Sequence, residues 1–261
     1  MKAYILLFFY LIFIVACQHA EHRSAVAPNF TALFIDRSDD EPFTQEQQGR
    51  ILQKLRPVIS QCFEHPKDQV EVYFISPATG SKELVSRFVL QLPPLPEHFQ
   101  ELDERQQGRE VQKQNTALQT QRELLLGIIK KALSLPPTKG AQAGSDVWST
   151  LRISAELFGA VDSSVTRRVL YVSDMVENTP NSRNFYKTPL QSEQEAVEMG
   201  QQDAARMVDR WAVLKANKAL KGASVKVIHP RNLLEGKRSQ TYVYRYWQTI
   251  FQKLEADFDM E

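Results

Sequence analysis

Residues 29–40, with the sequence NFTALFIDRSDD, predict the centre of the fold. Five of the six residues at positions 31–36 suit a strand, and three of them, LFI, are consecutive and apolar. Such a run is typical of a strand that is buried on both faces of a parallel sheet. The run ends abruptly at Asp36, and more oxygen-bearing side chains follow it. Because ligands bind at the carboxyl ends of strands in open α/β sheets, we expect the functional site of the protein at the end of this strand.

Two later segments also end or begin in polar side chains. A second predicted strand, residues 168–172 (RVLYV), is followed by Ser173 and Asp174, and a small-residue loop brings Ser145 to the start of an amphipathic helix. We expect Asp36, Ser145 and Asp174 to meet at one edge of one sheet, where their oxygen atoms would suit a hard divalent cation. Alternatively, Ser145 is only the N-cap of its helix.

At these residues the sequence resembles the von Willebrand factor A domains. Their metal-ion-dependent adhesion site begins with Asp-x-Ser-x-Ser after the first strand, and a Thr before a helix and an Asp after a later strand complete it. The matching positions here are Asp36, Ser38 and Asp40, then Ser145, then Asp174. Asp40 stands where the pattern has its second Ser, and Ser145 stands where it has Thr.

The resemblance implies a Mg²⁺ or Mn²⁺ site that binds a protein partner. The hydroxyls of Ser38 and Ser145 would ligate the ion, while Asp36 and Asp174 would hold metal-bound waters, as in the family. A carboxylate from the partner would then fill the open position. Asp40, as a direct ligand, would neutralise part of the charge of the ion and weaken its attraction for that carboxylate.

The remaining pattern predicts a doubly wound α/β domain over residues 29–258. A short connection at positions 77–80 predicts a hairpin, and therefore an antiparallel strand at the edge of a mostly parallel central sheet with helices on both faces. A long helical segment is predicted over residues 97–133; its glutamine-rich first half is either solvated or an arm that contacts a partner. The last helix is predicted to carry an apolar stripe of Val243, Trp247, Ile250, Phe251, Leu254 and Phe258.

The N-terminus predicts a targeting segment over residues 1–16. An unbroken apolar run of 12 residues is short for a membrane span but suits the core of a signal peptide. It ends in IVAC, which resembles the lipobox of bacterial lipoproteins and implies cleavage before Cys17 and acylation of that residue, with palmitate as one such chain. Residues 17–28 would then be the lipidated cysteine and a tether in the cell envelope, at the outer membrane if the organism is Gram-negative. A plain secretory signal or membrane anchor is the alternative.

Composition narrows the range of partners. Lys plus Arg number 32 and Asp plus Glu number 31, and no basic stripe appears, so we expect no nucleic-acid partner. With Cys17 lipidated, Cys62 has no cysteine left to pair with.

A polar loop at positions 175–189 follows the second predicted strand, at the edge of the sheet where loops of α/β folds carry binding specificity. The candidates for contact with a partner are Arg183, Phe185, Tyr186 and Lys187.

The sequence therefore favours a membrane-anchored binding protein over an enzyme. The first alternative is a magnesium-dependent phosphohydrolase of the haloacid dehalogenase type, which also places an Asp after a buried strand. Those enzymes need Asp-x-Asp, because one Asp attacks phosphorus and the other transfers protons, and Ser38 occupies the second position here. The second alternative is a structural scaffold without a metal.

Overall fold

The computed structural model describes residues 27–37, 43–76, 79, 84–136, 144–179, 182–230 and 238–260. The predicted signal segment, Cys17, Ser38 and Asp40 lie outside these residues, so the predictions made for them stay predictions. No helix within the described ranges is long and apolar enough to cross a membrane.

A six-stranded sheet forms the middle layer of the fold, in the order β3-β2-β1-β4-β5-β6. The strands are β1 (Asn29–Asp36), β2 (Gln69–Ile75), β3 (Leu84–Val89), β4 (Thr166–Val172), β5 (Ser224–Ile228) and β6 (Asp257–Met260). β1 lies parallel to β2 and β4, and β5 and β6 continue the parallel arrangement. β3 pairs antiparallel with β2 at the edge. The predicted mostly parallel sheet with one antiparallel edge strand is confirmed.

Helices cover both faces of the sheet, as predicted. They are α1 (Gln45–Cys62), α2 (Glu104–Ser134), α3 (Val147–Gly159), α4 (Glu193–Arg210), α5 (Ala212–Asn217) and α6 (Arg238–Lys253). Alternation along β1 explains the two layers: Phe30, Ala32 and Phe34 pack against α3, α4 and α6, whereas Leu33 and Ile35 pack against α1 and α2. Full burial of each large side chain contributes about 2 kcal/mol. β1 is therefore buried on both faces.

The long helix α2 has two different halves. Its second half buries an apolar stripe of Leu125, Leu126, Ile129, Ala132 and Leu133 against the sheet layer. In its first half, the amide group of Gln114 donates to the carbonyl oxygen of Pro93 at 2.9 Å, and the amide group of Gln121 donates to that of Gln91. The glutamines therefore hold the extended segment that follows β3, which gives part of the glutamine-rich half a structural role.

The predicted start of the long helix at residue 97 is wrong. The segment 97–133 is not one helix, since a short 3₁₀ turn at Phe99–Glu101 is followed by extended backbone and a new N-cap at Asp103. The side chain of Asp103 accepts a hydrogen bond from Gln106 N at 2.8 Å, and α2 begins there. Extended backbone at Trp211 likewise separates α4 from α5.

The prediction for the end of the chain is wrong in one respect. Phe258 lies in β6 and not on the last helix, which ends at Lys253. Glu255 has a φ of 58°, and this left-handed residue turns the chain back to the sheet edge. β6 then runs to Met260, two residues beyond the predicted end of the domain at 258.

A single glycine sets the distance between α4 and α6. A Cβ atom on Gly200 would lie 2.8 Å from the carbonyl oxygen of Tyr246 and 3.0 Å from Cβ of Thr249. Real Cβ atoms do not approach backbone so closely, so only glycine allows this packing. The contact fixes the part of α4 that follows Gly200, whose polar residues are described below.

Candidate functional site

Asp36 is the centre of a cluster of side chains from three separate segments. It ends β1 with only 7% of its surface exposed. The hydroxyl of Ser145 lies 3.2 Å from both carboxylate oxygens and donates to them. The hydroxyl of Ser173 donates to Oδ2 at 2.7 Å. Both serines are buried, so the three side chains form one enclosed polar group.

Strand pairing brings these segments together. Ile35 of β1 pairs with Val172 of β4. The next residue on each chain segment, Asp36 and Ser173, therefore lies beside the other at the carboxyl edge of the sheet. Ser145 is held from the other side, because its carbonyl oxygen accepts a hydrogen bond from Asn178 N at 3.1 Å. The expected meeting of these strand ends thus has its basis in the parallel register of β1 and β4.

Ser145 is not the N-cap of its helix. That position belongs to Asp146, whose carboxylate accepts a hydrogen bond from Ser149 N at 3.1 Å at the start of α3. The alternative of a simple capping role for Ser145 is therefore wrong. Its hydroxyl is directed at Asp36 instead.

Asp174 follows Ser173 at the end of β4 and is half-buried. Its Oδ1 accepts a hydrogen bond from Val176 N at 3.0 Å. Met175, between them, has a φ of 60°, and this left-handed conformation costs a non-glycine residue about 1 kcal/mol. Trp247 holds the strained residue in place, since its indole N–H donates to the carbonyl oxygen of Met175 at 2.7 Å. The chain therefore leaves the sheet through a tight, fixed turn.

The donor atoms at this edge suit a hard cation better than zinc. Zinc sites use nitrogen and sulfur ligands, whereas Mg²⁺ and Mn²⁺ prefer oxygen and retain waters. In the described ranges, no three His, Cys, Asp or Glu side chains come together as a metal-binding group. A cation here would depend on the hydroxyl of Ser145, the carboxylates of Asp36 and Asp174, waters, and the undescribed residues Ser38 and Asp40.

Sequence reasoning missed a second buried carboxyl group close by in the chain. Glu177 is fully buried, and its oxygens accept hydrogen bonds from Trp148 N at 2.9 Å, from the Thr179 hydroxyl at 2.9 Å and from the Ser182 hydroxyl. Burial raises the pKa of Glu177 to about 8, and the nearby Asp146 carboxylate adds to the rise. The group is thus mainly protonated at pH 7. A glutamate in a polar loop shows no pattern from which this burial could be predicted.

The loop beside the site is held to α4 by a buried ion pair. Arg183 donates to both oxygens of Asp203, at 2.7 Å and 2.9 Å, and Asp203 is fully buried. The Asp203 carboxylate raises the pKa of the Arg183 guanidinium. Tyr246 also donates to Asp203 at 3.1 Å, and it accepts the indole N–H of Trp148 at 3.0 Å. Side chains of three helices, α3, α4 and α6, are therefore linked to the loop.

The four residues predicted to contact a partner divide into two pairs. Arg183 binds Asp203, and Phe185 is buried with its ring edge-to-face against Tyr246, at a centroid distance of 5.0 Å. Tyr186 is 62% exposed, and Lys187 is exposed as well. The inner pair fixes the loop, and the outer pair lies at the surface.

No family model matches the sequence, and no curated protein matches it. Among solved structures, the chain is similar to an aerotolerance-related membrane protein of Bacteroides fragilis, with 14% identity, a TM-score of 0.38, and coverage of 90% of this chain and 92% of that one. It is also similar to the hypothetical protein BatB of Bacteroides thetaiotaomicron (13% identity, TM-score 0.37, coverage 89% and 90%). A third likeness is to the pilus adhesin SpaC of Lactobacillus rhamnosus GG (12% identity, TM-score 0.41, coverage 90% and 28%). These likenesses are too distant to establish a family.

Proposed function

We propose that the chain is a lipid-anchored protein of the von Willebrand factor A type that binds a protein partner through a divalent cation at the carboxyl ends of β1 and β4. The observation that carries the proposal is the convergence of Ser145 and Ser173 on Asp36. The single antiparallel edge strand in a mostly parallel sheet and the Asp36, Ser145 and Asp174 positions agree with the resemblance in the sequence.

Each side chain in the cluster has a definite task in this proposal. A hydroxyl that donates its hydrogen to Asp36 directs its lone pairs elsewhere, so Ser145 is oriented as a neutral ligand for a cation. Ser173 donates to the same carboxylate while its own oxygen accepts Met175 N at 2.8 Å, so it positions Asp36 and the turn. When bound, the cation would supply an open coordination position for a carboxylate of the partner.

The position of the site within the fold suits a membrane-anchored binding protein. The proposed tether ends where β1 begins, at Asn29, whereas Asp36 lies at the opposite end of the strand. Eight residues of strand extend about 26 Å. If lipid on Cys17 holds the amino edge of the sheet near a membrane, the cation site faces away from it, toward a partner in the cell envelope.

Calorimetry with Mg²⁺ and Mn²⁺ on the full chain, purified in mild detergent, tests the cation site. We expect one bound ion, an affinity at least about tenfold lower in Asp36→Ala, and no change in Asp257→Ala, a matched exposed aspartate. Asp40→Ser restores the family pattern, so it should retain the ion and bind carboxylate ligands equally well or better.

The same proteins separate the proposal from its two alternatives. A scaffold would show no ion binding in the wild type, and therefore no effect of either substitution. A phosphohydrolase would hydrolyse phosphate esters in magnesium, and Asp36→Ala would abolish that turnover because it removes the nucleophile. Either result would refute the cation-dependent binding function.

The anchor is tested separately, by the mass and detergent partitioning of the mature protein. Wild type should carry acyl chains on Cys17 and enter the detergent phase, and Cys17→Ser should be unprocessed or released. An unmodified wild-type N-terminus would show that the lipoprotein interpretation is wrong without affecting the cation site.

A further inference from the structure

An open cavity lies between α3, α4 and the loop after β4. Its volume is about 470 Å³, and it is lined by Trp148, Ser182, Arg206, Asp209 and Arg210. None of these residues belongs to the candidate cation site. We propose that this arginine cavity binds the carboxylate of an acidic side chain in a protein partner, without a metal ion.

The charges around the arginine cavity favour an anion. Asp203, which contacts the lining residue Arg206, already accepts hydrogen bonds on both oxygens from Arg183, so the negative charge of that buried carboxylate is neutralised. Arg206 makes one longer contact to Asp203, at 3.3 Å, and 64% of its side chain stays exposed. The cavity is also lined by the guanidinium group of Arg210 and by one further carboxylate, that of Asp209. Three guanidinium groups thus face two carboxylates.

Two exposed arginines of one helix line the arginine cavity. Arg206 and Arg210 are four residues apart on α4, so they lie on one side of the helix, with their Cβ atoms about 6 Å apart. Guanidinium groups are planar forks that bind carboxylates through paired, charge-assisted hydrogen bonds. Trp148 offers an apolar ring surface for the methylene groups of an acidic side chain, because its indole N–H is already donated to Tyr246.

The remaining lining residue selects among anions. Asp209 repels a second negative charge, so a doubly charged phosphate is disfavoured relative to a single carboxylate. Its oxygens can instead accept hydrogen bonds from peptide N–H groups beside the acidic residue. A glutamate or aspartate within a peptide therefore fits the arginine cavity better than inorganic phosphate or a small free acid.

The test uses the full chain in metal-free buffer, after dialysis that removes divalent ions and any chelator, so that binding at the cation site cannot contribute. The probe is the blocked peptide acetyl-Gly-Glu-Gly-amide, compared with acetyl-Gly-Gln-Gly-amide, acetate and inorganic phosphate. The readout is the NMR signal of the Trp148 indole N–H, one of three tryptophans in the chain, assigned with Trp148→Phe. We expect a saturable shift with the glutamate peptide that is the same in Asp36→Ala.

Arginine variants test the contact itself. Arg210→Gln should weaken peptide binding at least about tenfold, since it removes a charge-assisted contact but leaves the Asp203 network intact. Arg56→Gln is the matched control, because Arg56 is an exposed helical arginine paired with Glu123 elsewhere, and it should bind as wild type does. Thermal unfolding confirms that both variants are folded.

Four results would overturn the proposal. They are the absence of a saturable shift in wild type, equal binding of the glutamine peptide, binding of acetate or phosphate as tight as that of the glutamate peptide, and unchanged peptide affinity in Arg210→Gln. The wild-type ligand series decides the matter even if Arg210→Gln does not fold. Because divalent ions are absent throughout, failure here leaves the proposed cation-dependent function untouched.

Discussion

Two buried aspartates at opposite ends of the central strands are held in different ways. At the amino end, Asp68 accepts hydrogen bonds from the backbone N–H groups of Asn29, Glu64 and His65, each at 2.7 Å, and from the Asn29 side chain at 3.2 Å. At the carboxyl end, Asp36 accepts hydrogen bonds from two serine hydroxyls. Among the contacts of the described residues, one carboxylate is bound mainly by backbone N–H groups and the other by serine side chains.

The chemistry of the donors explains what each end can do. A backbone N–H has a hydrogen to donate but no lone pair for a cation, so the donors around Asp68 occupy its oxygens and add no ligand of their own. A hydroxyl that donates to Asp36 retains lone pairs and can change its direction by rotation. Burial of a carboxylate therefore does not by itself indicate a functional site, and the identity of its donors distinguishes the two ends.

The largest effect is expected at the amino end. Asp68→Ala leaves the backbone N–H group of the buried Asn29 and those of the partly buried Glu64 and His65 turn without their acceptor, and should lower the free energy of unfolding by about 3 kcal/mol. Urea denaturation of the full chain measures this. Asp36→Ala should cost less than half as much, because a freed hydroxyl can rotate toward another acceptor. Equal costs would contradict the distinction between the two ends.

A second effect concerns the loop at the carboxyl end. Arg183→Ala leaves the buried Asp203 charge with fewer partners, and we expect a loss of about 2–3 kcal/mol, since Arg206 and Tyr246 still contact Asp203. Arg206→Ala removes a mostly exposed side chain and should cost less than about 1 kcal/mol. If both variants lose the same stability in urea, Arg183 does not anchor the loop.

The third expected effect is a dependence of stability on pH that arises from Glu177. Its pKa rises from 4.5 to about 8 on burial, so between these values the folded state holds a proton that the unfolded chain has released. The stabilisation is complete below pH 4.5 and is lost as the pH rises to about 8, with a slope of at most about 1.4 kcal/mol per pH unit.

Urea unfolding at several pH values measures that slope. Glu177→Gln keeps the side chain neutral and should flatten the pH dependence. Glu198→Gln, a change at an exposed glutamate, should leave it as in wild type. A slope that persists in Glu177→Gln would show that another group is responsible.

Elements of the fold could be predicted from the sequence where a local pattern marks them, and were missed where none does. The run of apolar residues at 33–35 predicted a doubly covered central strand, and the short connection before β3 predicted the antiparallel edge, because both are local signals. β6 was missed since it has four residues, and Phe258 continues the helical spacing of the preceding stripe. Nothing local marks the left-handed turn at Glu255 that separates them.

The proximity of Asp36 and Ser145 could be predicted from strand ends, whereas contacts that depend on distant packing could not. Asp36 and Ser145 followed from their order along the chain. Arg183 was predicted as a candidate for contact with a partner, and the polarity of its loop does not reveal that it pairs with the buried Asp203, twenty residues later. Ser173 was passed over beside the more familiar Asp174, although its hydroxyl makes the 2.7 Å contact to Asp36.

The smallest expected effects separate the two serines on Asp36. Ser173→Ala removes a donor to Asp36 and the acceptor of Met175 N, so it should cost about 1 kcal/mol. Ser145→Ala removes longer contacts of 3.2 Å and should cost about 0.5 kcal/mol. Cation affinity should show the opposite order, with a loss of about tenfold in Ser145→Ala and a few-fold in Ser173→Ala, because only Ser145 is proposed as a ligand. Urea denaturation without metal and calorimetry with Mg²⁺ on the same two variants give both orders. If Ser173→Ala lowers the cation affinity more than Ser145→Ala does, the assignment of the two serines is wrong, and the Ser173 hydroxyl at the end of β4 is the ligand.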